Sequence, residues 1–331
     1  MERFALAAAV VLGFALTAAL CSLFVPLRRV LERREQQQQP VQSEQPRPAP
    51  LRAPLWGGLC AAAGTVAAVG VGWLAACVGQ PELLGSEGRL MTRLLTALAG
   101  SLAFGAVGLA EDVARMRSPA ALGLRRDVRL LLEALVAAFV LLLLRAAGCL
   151  PRGLGVPGAG YVLLGSAVPF LWAVLMVALA ECARIAERDE GAVCGAAFVA
   201  MLALMMVEAG LGVSGLAVLP AALAGALVAL LLWAFPPARL GAGCCGSLLA
   251  AGAIGCIPLS LDMTSLTVPL ALPFWAAGGL LAAQLLCAKR TGKPLRCWVK
   301  KHKMSPETVF LCSFALSAVG YVLALALLRW C

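Results

Sequence analysis

Residues 233–252 read WAFPPARLGAGCCGSLLAAG, a short turn with Pro236, Pro237 and one cation, Arg239, pressed between two long apolar runs. The run before it (213–233) and the run after it (244–263) are each long enough to cross a hydrocarbon layer of about 30 Å as a helix. Adjacent prolines withdraw backbone donors and disfavour helical geometry in the residue before them, so they belong to the turn and not to either run. The stretch has the pattern of two membrane helices joined tightly at the membrane edge.

The same pattern repeats along the whole chain. Of 331 residues, 62% are apolar and 13% charged, and the mean hydropathy is +0.92. A soluble chain of this length does not need that much apolar surface, because a single core stops growing near ~250–300 residues. The runs are continuous rather than alternating, which excludes a β-barrel. Ten spans are expected, near 4–26, 55–78, 94–110, 128–148, 161–182, 191–210, 213–233, 244–263, 267–288 and 308–329. The first, from Phe4 to Pro26, lacks a basic leader and a small-residue cleavage site and reads as a retained helix. The expected fold class is an all-α polytopic membrane protein, with residues 1–331 as one integral membrane domain. A flexible loop is expected at 27–54, where Gln36 to Gln39 and Pro46, Pro48 and Pro50 cannot build a core. A basic loop is expected at 289–307.

Orientation follows from the cations. Most of the 27 Lys and Arg residues fall after the odd-numbered spans: Arg28 to Arg52, Arg115 to Arg129, Arg184 and Arg188, Arg239, and seven from Lys289 to Lys303. Those loops are expected to be cytoplasmic and both termini extracytoplasmic. The net charge of +10 is thus a topology signal. A nucleic-acid partner is excluded, since no soluble module combines basic residues with interleaved aromatics. The 13 cysteines are mostly scattered singly, as small apolar residues. None has zinc-ligand spacing, and His302 is the sole histidine, so a structural metal is not expected. Cys244 and Cys245 lie at the cytoplasmic edge and should be reduced. Frequent Gly and Ala allow close helix contacts. Glu133, Glu181 and Glu208 should face the bundle interior or the interface, with Glu133 in a structural salt link.

Polar residues gather in five cytoplasmic segments. The first is Ala53-Pro54-Leu55-Trp56-Gly57-Gly58-Leu59, where close packing alone would account for the two glycines. The second, 108–115, reads GLAEDVAR, and its adjacent Glu111 and Asp112 read either as a solvated acidic turn or as oxygen ligands for a hard ion such as magnesium. The third, 181–195, reads ECARIAERDEGAVCG, in which Arg184 and Arg188 could pair with the neighbouring acids. The fourth is the turn at 233–247. The fifth, 289–307, reads KRTGKPLRCWVKKHKMSPE, a basic loop suited to an anionic membrane surface.

In this order the segments resemble the motifs of the polyprenyl-phosphate phosphosugar transferases. These are the glycosyltransferase family 4 membrane enzymes of the phospho-N-acetylmuramoyl-pentapeptide transferase and UDP-N-acetylglucosamine undecaprenyl-phosphate transferase type. They move a phosphosugar from a UDP-sugar to undecaprenyl phosphate in envelope polysaccharide synthesis. Phe235, Pro236, Pro237, Ala238, Arg239, Gly243, Gly246 and Ser247 fit the family's turn, and Gly191 and Gly195 fit its third segment. The resemblance implies catalytic roles for Asp112, Glu111 and Glu187, and metal ligation by Glu187 and Glu190. It also implies substrate contacts for Arg115, Arg239, Lys293 and His302. Departures are concentrated at the chemistry. Cys244 stands where the family has a metal-binding Asp, and Ala234 replaces an Asn. Glu181 and Arg184 stand at two further Asn positions, Arg188 replaces a Gly, and a histidine cluster is reduced to His302. A thiolate is a soft ligand that favours zinc or copper(I) over magnesium.

The resemblance therefore implies a divergent homologue in the bacterial plasma membrane with weak or no catalysis, serving as a regulatory or partner subunit. The alternative is an active magnesium-dependent transferase. Magnesium, undecaprenyl phosphate and a UDP-sugar are expected ligands only if it is active. The bilayer is the expected partner in either case, and a homodimer the candidate assembly. A test of orientation is Arg188→Cys labelled with a membrane-impermeant maleimide. Labelling from the cytoplasmic side only is expected, and labelling from outside would overturn the topology.

Overall fold

The computed structural model describes residues 2–38, 56–79, 88–117, 123–151, 153–156, 160–163, 165, 167–187, 191–236, 238–291 and 305–330. Each of the ten predicted runs falls on helix. In chain order the elements are α1 (Glu2–Gln38), α2 (Gly57–Gly79), α3 (Gly88–Arg117), α4 (Arg126–Ala146), β1 (Gly153–Val156), β2 (Gly160–Leu163), α5 (Ala167–Ala186), α6 (Ala192–Gly210), α7 (Ser214–Ala234), α8 (Gly243–Ser260), α9 (Thr267–Leu270), α10 (Leu272–Thr291) and α11 (Pro306–Trp330). Among the described residues, eight helices are long and apolar enough to cross a membrane. A ninth candidate is the pair 264–270 and 272–283, bent by 64°, where Pro273 cannot continue a helix from the turn before it. α4 falls outside these eight, its apolar stretch being interrupted by Arg129, Glu133 and Arg145. Ten spans are expected; among the described residues eight helices, or nine counting the bent pair, are long and apolar enough.

Two boundaries differ from expectation. The span expected from 161 begins at Ala167, because 153–156 and 160–163 pair as antiparallel strands, Gly153 with Leu163 and Val156 with Gly160. The glycines and Pro157 crowded into 153–165 break helix there. The loop expected from 27 is helical as far as Gln38, since Leu, Arg, Glu and Gln in 27–38 are all good helix formers. Residues 39–54 and most of the basic loop, 292–304, lie outside the described residues.

The bundle is organised around α8. Every residue from Gly243 to Ser260 is buried, and the most extensive helix contact in the molecule runs between α3 and α8. Small residues make this approach possible. A Cβ added at Gly58 of α2 would lie 2.6 Å from the Ala242 carbonyl oxygen and 2.7 Å from the Gly246 Cα. One at Gly57 would lie 2.5 Å from the Gly241 oxygen, and one at Gly108 of α3 would lie 2.7 Å from the Cys245 nitrogen. The paired glycines at the start of α2 are thus a packing surface against the 241–246 backbone.

Gly58→Ala must push that backbone away and is expected to cost about 1–3 kcal/mol. Gly70→Ala on the same helix meets nothing within 4 Å and should be neutral or stabilising by up to about 1 kcal/mol. Thermal unfolding of the two variants in detergent would separate them. Equal melting temperatures would remove the packing role assigned to Gly58.

Candidate active site at the junction of α3 and α8

The turn leaving α7 closes on itself before α8 begins. The Trp233 carbonyl accepts hydrogen bonds from the Arg239 amide at 2.8 Å and the Leu240 amide at 3.2 Å. Leu240 is buried, and Phe235 sets its ring edge-on to Phe310 of α11 at 5.2 Å. Gly243 then takes φ +67°, a left-handed conformation that a side chain would strain, and turns the chain into α8. A helix start leaves its first amides without partners. Here α3 supplies one: Asp112 Oδ1 accepts from the Cys244 amide at 3.1 Å and Oδ2 from the Cys245 amide at 2.9 Å. The carboxylate is buried, and it faces the positive end of the α8 dipole.

Around this cap, three helices contribute an ionic network. Arg115, one turn beyond Glu111 on α3, pairs with Glu111 at 2.7 Å, approaches Glu187 at 3.9 Å and lies 4.0 Å from Asp112. Arg129 of α4 donates Nε–H to Glu181 of α5 at 2.7 Å and Nη1–H to Glu111 at 3.4 Å, with Glu133 at 3.9 Å. Arg184 closes the set through Glu181 at 2.6 Å. Five carboxylates and three guanidiniums thus share one partly dehydrated junction. Glu111 Oε2 and both Glu133 oxygens are buried without a hydrogen bond.

The structure therefore brings together Glu111, Asp112, Arg115, Glu187 and Cys244. The Cys244 side chain lies in electrostatic range of Asp112, Glu187, Glu111 and Arg115. Arg239 is exposed on the turn before α8. Glu190, Arg188, Lys293 and His302 lie outside the described residues. Glu133 approaches Arg129 as a salt link, as expected. Arg129 itself was read only as a topology cation. A signal was present, because Arg129, Glu133, Ala137, Val140 and Leu144 are the buried residues of α4 and their spacing marks one helical face. An Arg and a Glu one turn apart on a core face imply ionic partners on neighbouring helices.

Magnesium asks for several oxygen ligands and tolerates few substitutes. Among the described residues, no group of three or more His, Cys, Asp or Glu side chains is placed to hold a metal ion. Both Asp112 oxygens face amides, Glu111 Oε1 accepts from Arg115 and Arg129, and Cys244 in the first turn of α8 offers a thiol. The described donors do not fit the ion that the resemblance implies.

Comparison with known proteins agrees with the motif order. The family described as Glycosyl transferase family 4 matches residues 94–262, which hold α3, the acids of α5 and the turn before α8. The chain is similar to a phospho-N-acetylmuramoyl-pentapeptide-transferase of Geobacillus kaustophilus, at 25% identity over 309 residues, 92% of this chain and 89% of that protein. It is also similar to the protein of the same name from Desulforudis audaxviator, at 31% identity over 170 residues, 48% of this chain and 50% of that one.

Removing Arg129 leaves Glu111, Glu133 and Glu181 facing one another without their shared cation. Arg129→Ala is expected to lower stability by about 3–5 kcal/mol, and adding Glu133→Gln should return part of the loss. Denaturant or thermal unfolding in detergent reads both. An unchanged midpoint in Arg129→Ala would show that the network holds nothing together.

Proposed function

The chain belongs to glycosyl transferase family 4, and from that premise we propose that it is a membrane phosphosugar-transferase homologue whose site has been converted from catalysis to structure. It is a multi-pass protein of the cell membrane. In this reading it crosses ten times with both termini extracytoplasmic, and it acts as a regulatory or partner subunit of envelope synthesis.

One observation supports the reading: the described acids that the family would use, Glu111, Asp112 and Glu187, already face amides or guanidiniums. Asp112 spends both oxygens on α8 amides, and Arg115, Arg129 and Arg184 neutralise Glu111, Glu181 and Glu187 from three sides. Transfer to a lipid phosphate requires the anionic pyrophosphate of the sugar nucleotide to be stabilised as the leaving group departs. The guanidiniums that would meet such an anion are already partly neutralised by carboxylates at 2.6–2.7 Å, which weakens their pull on it. The same guanidiniums repel a divalent ion at short range.

The assay is UMP release by purified protein in lipid vesicles containing undecaprenyl phosphate, a UDP-amino-sugar and magnesium. No turnover is expected from the wild-type chain or from Cys244→Asp, since one added carboxylate does not displace the arginines. Turnover in the wild type that disappears in Glu187→Ala would establish an active, divergent transferase instead. A gain of activity with Cys244→Asp alone would place the whole defect at that residue and overturn the role given to the arginines.

A further inference from the structure

Outside the ionic junction, the wall formed by α1 and α2 holds a pair of thiols. Cys21 of α1 and Cys60 of α2 are both buried and both free, and their side chains lie within interaction range of each other. Contacts on either side fix this pairing. One turn before Cys21, Thr17 presses against Gly64, one turn beyond Cys60. A Cβ on Gly64 would overlap the Thr17 hydroxyl and lie 3.2 Å from its backbone nitrogen. On the other side, Phe24 stacks on Trp56 with ring centroids 5.9 Å apart and planes 7° from parallel. The three rungs run antiparallel, 17–21–24 against 64–60–56, so Cys21 and Cys60 face each other in register. The missing side chain at Gly64 lets the two backbones approach, and a disulfide needs Cα atoms within roughly 4.4–6.8 Å.

We propose that Cys21 and Cys60 are an oxidative modification site, at which a small neutral oxidant closes a disulfide between α1 and α2. With a hydroperoxide, one sulfur attacks the peroxide oxygen to give a sulfenic acid and release water or an alcohol. The second sulfur then displaces hydroxide from the first, forming the S–S bond and a water. The two thiols lose two electrons and two protons, and the peroxide takes both. The bond would act on the turn at 241–246, because Gly57 and Gly58, the residues of α2 just before Cys60, lie against Gly241, Ala242 and Gly246. It would fix the wall that grips the start of α8. The site does not depend on whether the ionic junction is catalytic.

The test treats the full-length protein in membranes with hydrogen peroxide or the permeant azo oxidant diamide, then blocks free thiols and digests without reduction. Mass spectrometry is expected to show Cys21 and Cys60 in one linked peptide, 2 Da lighter than the sum of its parts. The species should revert with dithiothreitol and be absent from both Cys21→Ala and Cys60→Ala. Exposed Cys312 reports reagent access by its own alkylation. Absence of the linked peptide while Cys312 reacts overturns the proposal. So does a dominant linkage of Cys21 to Cys194 or of Cys60 to Cys245, the neighbouring thiols in electrostatic range. Should either alanine variant fail to accumulate, the linked peptide in the native chain decides alone.

Discussion

A carboxylate on one helix closes the open end of another, and most of the molecule is arranged to let it do so. α8 is buried at every position, so the amides at its start have no water to turn to. A buried donor left unpaired costs about 1–3 kcal/mol. Asp112 meets two of these amides at once. That requirement brings α3 alongside α8, demands Gly108 where the two backbones cross, and leaves Gly57 and Gly58 of α2 to grip the turn from the other side.

The ionic network follows from the same demand. A charge brought so deep attracts counter-charges, and Arg115, Arg129 and Arg184 come from three helices to supply them. Buried ion pairs roughly repay their own dehydration, so their contribution to net stability is small even though losing one partner is severe. Their effect here is specificity of arrangement: α3, α4 and α5 can meet in only one register if Arg129 is to reach Glu111 and Glu181 together. The network also explains why α4 falls outside the eight span candidates, since its inward face carries Arg129 and Glu133.

Helix positions were legible in the sequence because apolar runs of this length admit few other structures, and the motif order was legible because it survives substitution at individual positions. Boundaries were less so. Tyr161, Val162 and Leu163 are as apolar as a span demands, yet they pair with 153–155 as an antiparallel strand because glycines surround them. The meaning of Asp112 was hidden for a different reason. Its sequence neighbours mark it as one of two acids at a helix end, whereas its role is set by amides 132 and 133 residues away. Arg129 was hidden likewise: a cation near a loop looks the same whether it orients the chain or is drawn inward by Glu181. Cys244 drew attention for its thiol, but it is its backbone amide that donates to Asp112.

The enclosure of α8 also bears on the order in which the chain can be assembled. Its principal neighbours, α3, α5, α2 and α6, all precede it in the sequence. Among the described residues made after it, only the short turn and helix spanning 264–270 touch it substantially. When α8 leaves the ribosome, its chamber has already been synthesised, with the carboxylate that receives its first amides in place on α3. A helix with no lipid-facing side is therefore the closing piece of a bundle built in chain order, and α10 and α11 can be added afterwards without reopening it.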